Sequence, residues 1–272
     1  MPELPEAETI ARALNRAIKG RKIAKVEVFA PKLRTPLKPL CEANLVGRTI
    51  TGCRRRARYA VAYLDDGRTL VFHFGMSGTV RVDKLGEASR KKHDHVEITL
   101  DDKRIIRFND PRRFGSVEVQ PCGPDGWPIS LAEIGVEPLT DDFTGELLFR
   151  ASRGRKKSVK ELLMDNAIVT GIGNIYAAET LFACGIRPQK PASKLTRAQC
   201  DSIAREAKRI LSLAIECGGT TVHDFKSVDG SEGKFVQKLK IYAQKNCPNC
   251  GSPVAKVVLG GRTSWYCAKC QR

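Results

Sequence analysis

Four cysteines at the end of the chain constrain its fold more than any other feature. They stand as Cys247-Pro-Asn-Cys250 and Cys267-Ala-Lys-Cys270, with sixteen residues between the two pairs. Two C-x-x-C pairs at that separation fit a four-cysteine zinc ribbon. The first pair closes a knuckle that aims two thiolates at one ion, and the second returns on a hairpin to complete a tetrahedron. So small a knuckle is not held together by burial, so one structural Zn2+ is expected to supply its folding free energy. The competing reading, two redox dithiols, calls for a βα setting and an unpaired motif. No Asp or Glu follows Lys234, whereas Lys238, Lys240, Lys245, Lys256, Arg262, Lys269 and Arg272 do. An acid-free basic segment around a zinc knuckle suits a phosphate-bearing partner.

The whole chain repeats that bias. Its 272 residues carry a formal charge of +17 and a sequence pI of about 9.6. Self-repulsion of this size opposes compaction, and a polyanion is its natural counterpart. No apolar run approaches the ~20 residues needed to span a bilayer, which argues against a membrane partner. Glu3, Glu6 and Glu8 occupy a start that a secretory signal would make basic and then apolar. The other six cysteines, Cys41, Cys53, Cys122, Cys184, Cys200 and Cys217, follow no framework spacing and fit free thiols in a reducing cytosol.

Periodicity predicts an α+β chain. A helix is expected from Pro2 to Gly20, with Ile10, Leu14, Ala17 and Ile18 at helical spacing. Short β-type runs follow at Ile23–Phe29, Val61–Leu64, Thr69–Phe74, Val96–Leu100, Arg104–Phe108 and Ser116–Val119, which predicts a β-sandwich or barrel. Helices are expected at Glu146–Ser152, Val159–Asn166, Ile175–Cys184 and Arg197–Cys217. The organisation read from this is residues 1–134 as an N-terminal helix and β-sandwich domain, 135–141 as a hinge, 142–233 as a helical domain, and 234–272 as the zinc finger.

Three constellations carry chemistry. The first is Met1-Pro2-Glu3-Leu4-Pro5-Glu6. Removal of Met1 would leave Pro2 as a secondary amine, and an α-amino group titrates near 7.7–8.0. A neutral amine attacks an aldehyde-level carbon to give an iminium, with Glu3 and Glu6 at hand for proton transfer. Prolines and glutamates also suit an ordinary helix start. The second is the pair of turns His73-Phe74-Gly75-Met76-Ser77-Gly78 and Asn109-Asp110-Pro111-Arg112-Arg113-Phe114-Gly115. Met76, Arg112 and Phe114 at turn tips suit a wedge in a base stack, while Met76 and Phe114 could equally pack in a core. The third is Thr170-Gly171-Ile172-Gly173-Asn174-Ile175-Tyr176, a Gly-rich turn into a helix where backbone N–H groups would seat a phosphate and Asn174 would cap the helix or touch a phosphate oxygen. Lys160 and the run Arg153, Arg155, Lys156, Lys157 lie nearby. His93-Asp94-His95 places two imidazoles on one strand face without further ligands. They read as structural or polar-contact residues, with His93 among the candidate DNA contacts.

Together these motifs, in this order and across essentially the whole chain, resemble the formamidopyrimidine-DNA glycosylase family. The resemblance implies a helix-plus-β-sandwich domain, a helix–two-turn–helix domain and a zinc finger acting on damaged double-stranded DNA as a monomer in the bacterial cytoplasm, at the nucleoid. It implies a glycosylase and AP lyase that removes oxidised purines such as 8-oxoguanine and formamidopyrimidines. Pro2 would be the nucleophile on C1′, Glu3 the acid at the sugar ring oxygen, and Glu6 a group positioning lesion and water. Met76, Arg112 and Phe114 would fill the gap, with Arg112 facing the orphaned cytosine. Asn174, Lys160 and Arg262 would grip phosphates. The segment Val222–Lys234, with His223, resembles a loop that closes over the everted base.

One departure stands out. The family's Arg-Arg-Ala-Lys-Tyr turn reads Arg55-Arg56-Ala57-Arg58-Tyr59 here. Arg58, grouped with the catalytic candidates, can hold a phosphate but cannot lend a neutral amine. Two other readings stay open: an endonuclease VIII-like enzyme for oxidised pyrimidines, and a DNA-binding paralogue without catalysis. A zinc-ribbon factor for RNA is disfavoured by the absence of an RNA-binding sheet motif.

Overall fold

The computed structural model describes residues 2–221, 228, 230 and 232–272. His223 and most of the Val222–Lys234 segment therefore lie outside the described residues. The chain divides into two compact units, Met1–Ala132 with Gly218–Lys234, and Glu133–Cys217 with Phe235–Arg272.

The first unit opens with α1 (Leu4–Ile18), whose buried Leu4, Ala7, Ile10, Ala11, Leu14 and Ile18 form one stripe. Pro5 lies in its first turn, where the missing N–H costs nothing. Gly20, at φ 79°, ends the run in the left-handed region. Strand β1 (Ile23–Val28) and the short helix α2 (Lys38–Glu42) follow, then β2 (Ile50–Arg56), β3 (Tyr59–Leu64), β4 (Arg68–His73), β5 (Thr79–Lys84), β6 (Asp94–Leu100), β7 (Arg104–Asn109) and β8 (Ser116–Pro121). They build two antiparallel sheets, in the orders β1-β6-β7-β5 and β2-β3-β4-β8. Phe72 of one sheet meets Phe108 of the other with ring centroids 6.4 Å apart, inside a single apolar cluster that also takes in Ile10 and Leu14. The expected sandwich is thus observed. On the far face of the first sheet, Glu97 and Arg107 are register partners joined at 2.8 Å, and Arg107 also reaches Asp83 at 2.7 Å.

The second unit carries α3 (Gly145–Ser152), α4 (Val159–Leu163), α5 (Asn174–Ala183) and α6 (Arg197–Glu216). Thr144, Ser158 and Thr196 cap α3, α4 and α6 by accepting the N–H three residues on. Helix α4 is shorter than its sequence predicts. It stops at Leu163 because Asp165 turns the chain, accepting the Ala167 N–H at 3.1 Å and an Arg155 N–H at 3.0 Å. The unit ends in the hairpin β9 (Ala255–Leu259) and β10 (Arg262–Tyr266). Gly260 and Gly261 turn it with φ of 54° and 72°, the pair of positive angles a two-residue hairpin of this twist demands.

Candidate functional site

In the first unit the candidate chemistry gathers at the start of α1. Pro2, Glu3 and Glu6 are all buried. Glu6 Oε2 accepts the Glu3 N–H at 2.8 Å, and Glu6 Oε1 accepts the Thr220 N–H at 2.7 Å. Gly219 packs onto the same carboxylate so closely that a Cβ would stand 3.0 Å from Oε1, and its φ of 87° already excludes most side chains. Glu6 therefore clamps the backbone that carries Pro2 and Glu3 against the 219–220 turn.

The two wedge-type turns form one body. Met76 and Phe114 are 44% and 49% exposed, so neither belongs to the core, and the Arg112 guanidinium lies 4.9 Å from the centre of the Phe114 ring. Gly75, at φ 53°, abuts the Phe114 backbone with no room for a Cβ. Asp110 is fully buried between the turns. Its Oδ1 accepts from Ser77 Oγ at 2.5 Å and from the Arg112 N–H at 3.3 Å, and its Oδ2 accepts the Gly115 N–H at 2.7 Å. His95 Nε2 bonds the Asp110 carbonyl at 3.0 Å, and the Asp110 N–H donates to the His93 carbonyl at 3.0 Å. His93 and His95 join no metal-type cluster, since the terminal cysteines form the only such group among the described residues.

Arg58 sits in the two-residue turn between β2 and β3, after Ala57 in the left-handed region at φ 52°. Its charge reaches two aromatic neighbours, Tyr59 and His73, whose rings lie 4.7 Å apart. Burial, then Arg34 and Arg58, lower the His73 pKa to about 4, so its imidazole is neutral at physiological pH.

In the second unit Lys160 is 1% exposed, an unusual place for a lysine. Its ammonium donates to Asn174 Oδ1 and Ser264 Oγ, while Asn174 Nδ2 donates to the Thr263 carbonyl at 3.1 Å. Gly173, not Asn174, is the N-cap of α5, because the Asn174 side chain is committed to Lys160 and to β10. A cavity of about 260 Å3 opens here among Lys157, Lys160, Asn166, Gly260 and Arg262. Of the neighbouring basic run, Arg155 pairs with Asp165 and Arg153 donates to the Leu195 carbonyl at 2.8 Å.

The four cysteine sulfurs lie within 4.8 Å of one another. Cys247 and Cys270 are 3.8 Å apart and Cys250 and Cys267 3.5 Å. A tetrahedron with Zn–S near 2.3 Å has edges of about 3.8 Å, so the donor set fits one Zn2+ held by thiolates alone. With four protein ligands such an ion has no open position and serves structure. Glu179 of α5 ties this module down, accepting the N–H groups of Lys240, Ile241 and Tyr242 at 2.8–2.9 Å.

Residues 1–117 match the family model for the formamidopyrimidine-DNA glycosylase N-terminal domain, 134–226 that for the formamidopyrimidine-DNA glycosylase H2TH domain, and 245–272 the zinc finger found in FPG and IleRS. The chain belongs to the formamidopyrimidine-DNA glycosylase family. It is 46% identical to the formamidopyrimidine-DNA glycosylase of Stenotrophomonas maltophilia and 43% identical to that of Thioalkalivibrio sulfidiphilus, with full coverage of both chains in each case. Its fold is similar to that of a Lactococcus lactis FPG mutant in complex with a Fapy-dG-containing DNA, with a TM-score of 0.89, 32% identity and full coverage of both chains. The Lactococcus lactis Fpg bound to an abasic-site DNA is similar at TM-score 0.88 and 31% identity over 99% of each chain.

The contacts of Asp110, Ser77, Glu179 and the half-buried His73 are ones the motifs do not announce. Asp110 had a signal, since an aspartate directly before a turn proline favours side-chain-to-backbone bonds two residues on. Glu179 and His73 had none, because their partners lie far along the chain.

Proposed function

We propose that the chain is a bifunctional DNA glycosylase and AP lyase that excises oxidised purines from duplex DNA. One observation carries this reading: Met76, Arg112 and Phe114 stand exposed on a single hydrogen-bonded body, in the unit that also buries Pro2 and Glu3 at a helix start. Large exposed apolar side chains on a rigid turn suit a gap in a base stack. Chemistry at C1′ requires the nucleotide to leave the duplex, at a cost of a few kcal/mol. Filling the gap offsets that cost, with Arg112 set against the orphaned cytosine.

With Met1 removed, the Pro2 nitrogen attacks C1′, Glu3 protonates the ring oxygen, and the damaged base departs with its bonding electron pair. The resulting iminium acidifies the C2′ proton, and β- then δ-elimination expel the two phosphates. Glu6 holds the segment that presents Pro2 and Glu3. Arg58, His93, Lys160, Asn174 and Arg262 contact phosphates, with Lys160 also bonded to the Asn174 side chain. The Val222–Lys234 segment closes over the everted base. The relatives crystallised with Fapy-dG and abasic-site DNA support a damaged-DNA substrate. The protein works as a monomer at the nucleoid of a bacterial cytoplasm; no helix among the described residues is long and apolar enough to cross a membrane.

The test compares duplexes carrying 8-oxoguanine opposite cytosine with duplexes carrying thymine glycol, with borohydride present. The expected result is excision of 8-oxoguanine and a covalent adduct that is lost when the Pro2 amine is chemically blocked. Preferential cleavage of thymine glycol would instead favour the pyrimidine enzyme, and binding without an adduct the non-catalytic paralogue.

A further inference from the structure

We propose that Asp110 is a positioning residue that fuses the two wedge turns, so that Met76 and the Arg112–Phe114 pair enter the helix as one rigid piece. The proposal deepens the reading above and rests on it. A fully buried carboxylate must be met by donors at both oxygens, or its burial is costly. At Asp110 those donors come from both turns: Ser77 Oγ from the Met76 side, and the Arg112 and Gly115 N–H groups from the Phe114 side. Ser77 closes the ring, because its Oγ also accepts the Arg112 N–H at 3.2 Å. The main chain of Asp110 extends the brace to a third segment through the His93 carbonyl and the His95 ring.

This arrangement has a mechanical consequence. Arg113, between the wedge residues, holds a left-handed φ of 56°, which is unfavourable for a residue with a side chain. The Gly115 and Arg112 bonds to Asp110 bracket that residue and hold the turn in its strained shape. Close backbone contact, with Gly75 against Phe114 and Gly115 against the His73 carbonyl, prevents the turns from sliding but does not fix their tips. Removing the carboxylate leaves the turns adjacent and lets Met76 and Phe114 move independently. Pushing them into a stack then costs ordering entropy that the native protein has already met in folding.

The experiment compares Asp110→Asn with the native protein. Asparagine preserves an acceptor for Ser77 but sets an amide N–H2 against the Gly115 N–H. Single-turnover excision of 8-oxoguanine from an intact duplex is expected to fall about 10- to 100-fold. Borohydride trapping on an abasic site in single-stranded DNA, where no stack needs filling, is expected to stay within about twofold. Fluorescence of 2-aminopurine beside a tetrahydrofuran abasic analogue reports stack insertion directly, and its amplitude is expected to drop. Ser77→Ala is the milder probe should Asp110→Asn fold poorly. Its effect is expected to be smaller and confined to the duplex substrate, because Asp110 keeps its bonds to the Arg112 and Gly115 N–H groups. Equal losses on both DNAs or an unchanged duplex rate would overturn the proposal. A native protein that never traps on either DNA would sink the catalytic reading instead, and the 2-aminopurine signal would still decide the brace.

Discussion

Glu6 reaches across 214 positions of sequence to accept the backbone N–H of Thr220 at 2.7 Å, while its other oxygen takes the N–H of Glu3 at 2.8 Å. The carboxylate is thus spent on two amides. It fixes where the chain start lies relative to the turn at 218–220. Glu6→Gln is nearly isosteric, yet its –NH2 must face one of the two N–H donors. Leaving one buried amide unmet costs about 1–3 kcal/mol. The expected outcome is a fall in Tm of several degrees, of the order of 3–8 °C, with faster hydrogen exchange at the Thr220 or Glu3 amide. Native protection at both amides in the variant would contradict the clamp.

Arg58 supplies a second prediction. It replaces the family's lysine in a tight turn, and a guanidinium remains charged at any ordinary pH. If the position only holds a phosphate, Arg58→Lys leaves single-turnover excision within severalfold of native. Arg58→Ala then weakens binding and flattens the plot of log affinity against log salt by about one unit of slope. A rise of orders of magnitude in Arg58→Lys would assign the amine to the chemistry.

The zinc site gives a third. Four thiolates organise a module whose apolar cluster is small: Ile241, Cys247 and Cys267 with Ala178 and Phe182 of α5, and Tyr242, Val254 and Trp265 around them. Binding of a structural Zn2+ is worth about 10–16 kcal/mol in such modules, far more than this cluster supplies by burial. Chelation, or Cys267→Ser, is expected to unfold residues 240–272 while the sandwich of the first unit persists. Trp265 packs against Tyr242 with ring centroids 4.4 Å apart, and the chain's other tryptophan is Trp127. In a Trp127→Phe background, metal removal should red-shift the emission of Trp265. An unshifted spectrum after verified zinc loss would show that the module folds without metal.

Local pattern made much of this readable, and its limits were physical. The cysteine spacing and the stripe of α1 are short-range signals, and each is present as expected. Strand β2 was missed because its buried residues, Ile50, Cys53 and Arg56, recur every third position. A bulge between Ile50 and Gly52 breaks the two-residue period, and three arginines mask what remains. Strand β5, Thr-Val-Arg-Val-Asp-Lys, has only two apolar residues, and its register comes from β7. The sequence assigns Lys160 to phosphate contact and gives no sign of its burial. Only the fold reveals that Asn174 and Ser264 enclose it. The Glu6–Thr220 and Glu179–Ile241 bonds join distant segments, and no local pattern encodes them.

His73 contributes to the pH dependence of stability. Burial first, and then the charges of Arg34 and Arg58, hold its pKa at about 4, against 6.5 for a free histidine. Its Nδ1 is buried and meets no hydrogen-bond partner among the described residues, and the charges of Glu118 and Asp110 only partly offset the cost of a proton there. Below pH 6.5 the unfolded chain takes up a proton that the folded one refuses until about pH 4. Stability contributed by this group is therefore complete above the unfolded value and declines as pH falls through that window. Between about pH 7 and pH 4.5 the loss amounts to roughly 2–3 kcal/mol. His95, also lowered chiefly by burial, adds to the decline in the same direction. Asp94 acts lower still. Although burial opposes it, Arg81, the Lys91 N–H and Asn109 keep its pKa below the ordinary carboxylate value, so its contribution is lost only in stronger acid. Urea midpoints for the native protein and His73→Asn, taken at about pH 7 and about pH 4.5, separate these terms. The native midpoint should fall steeply and that of the variant clearly less, whereas parallel falls would place the titrating group elsewhere.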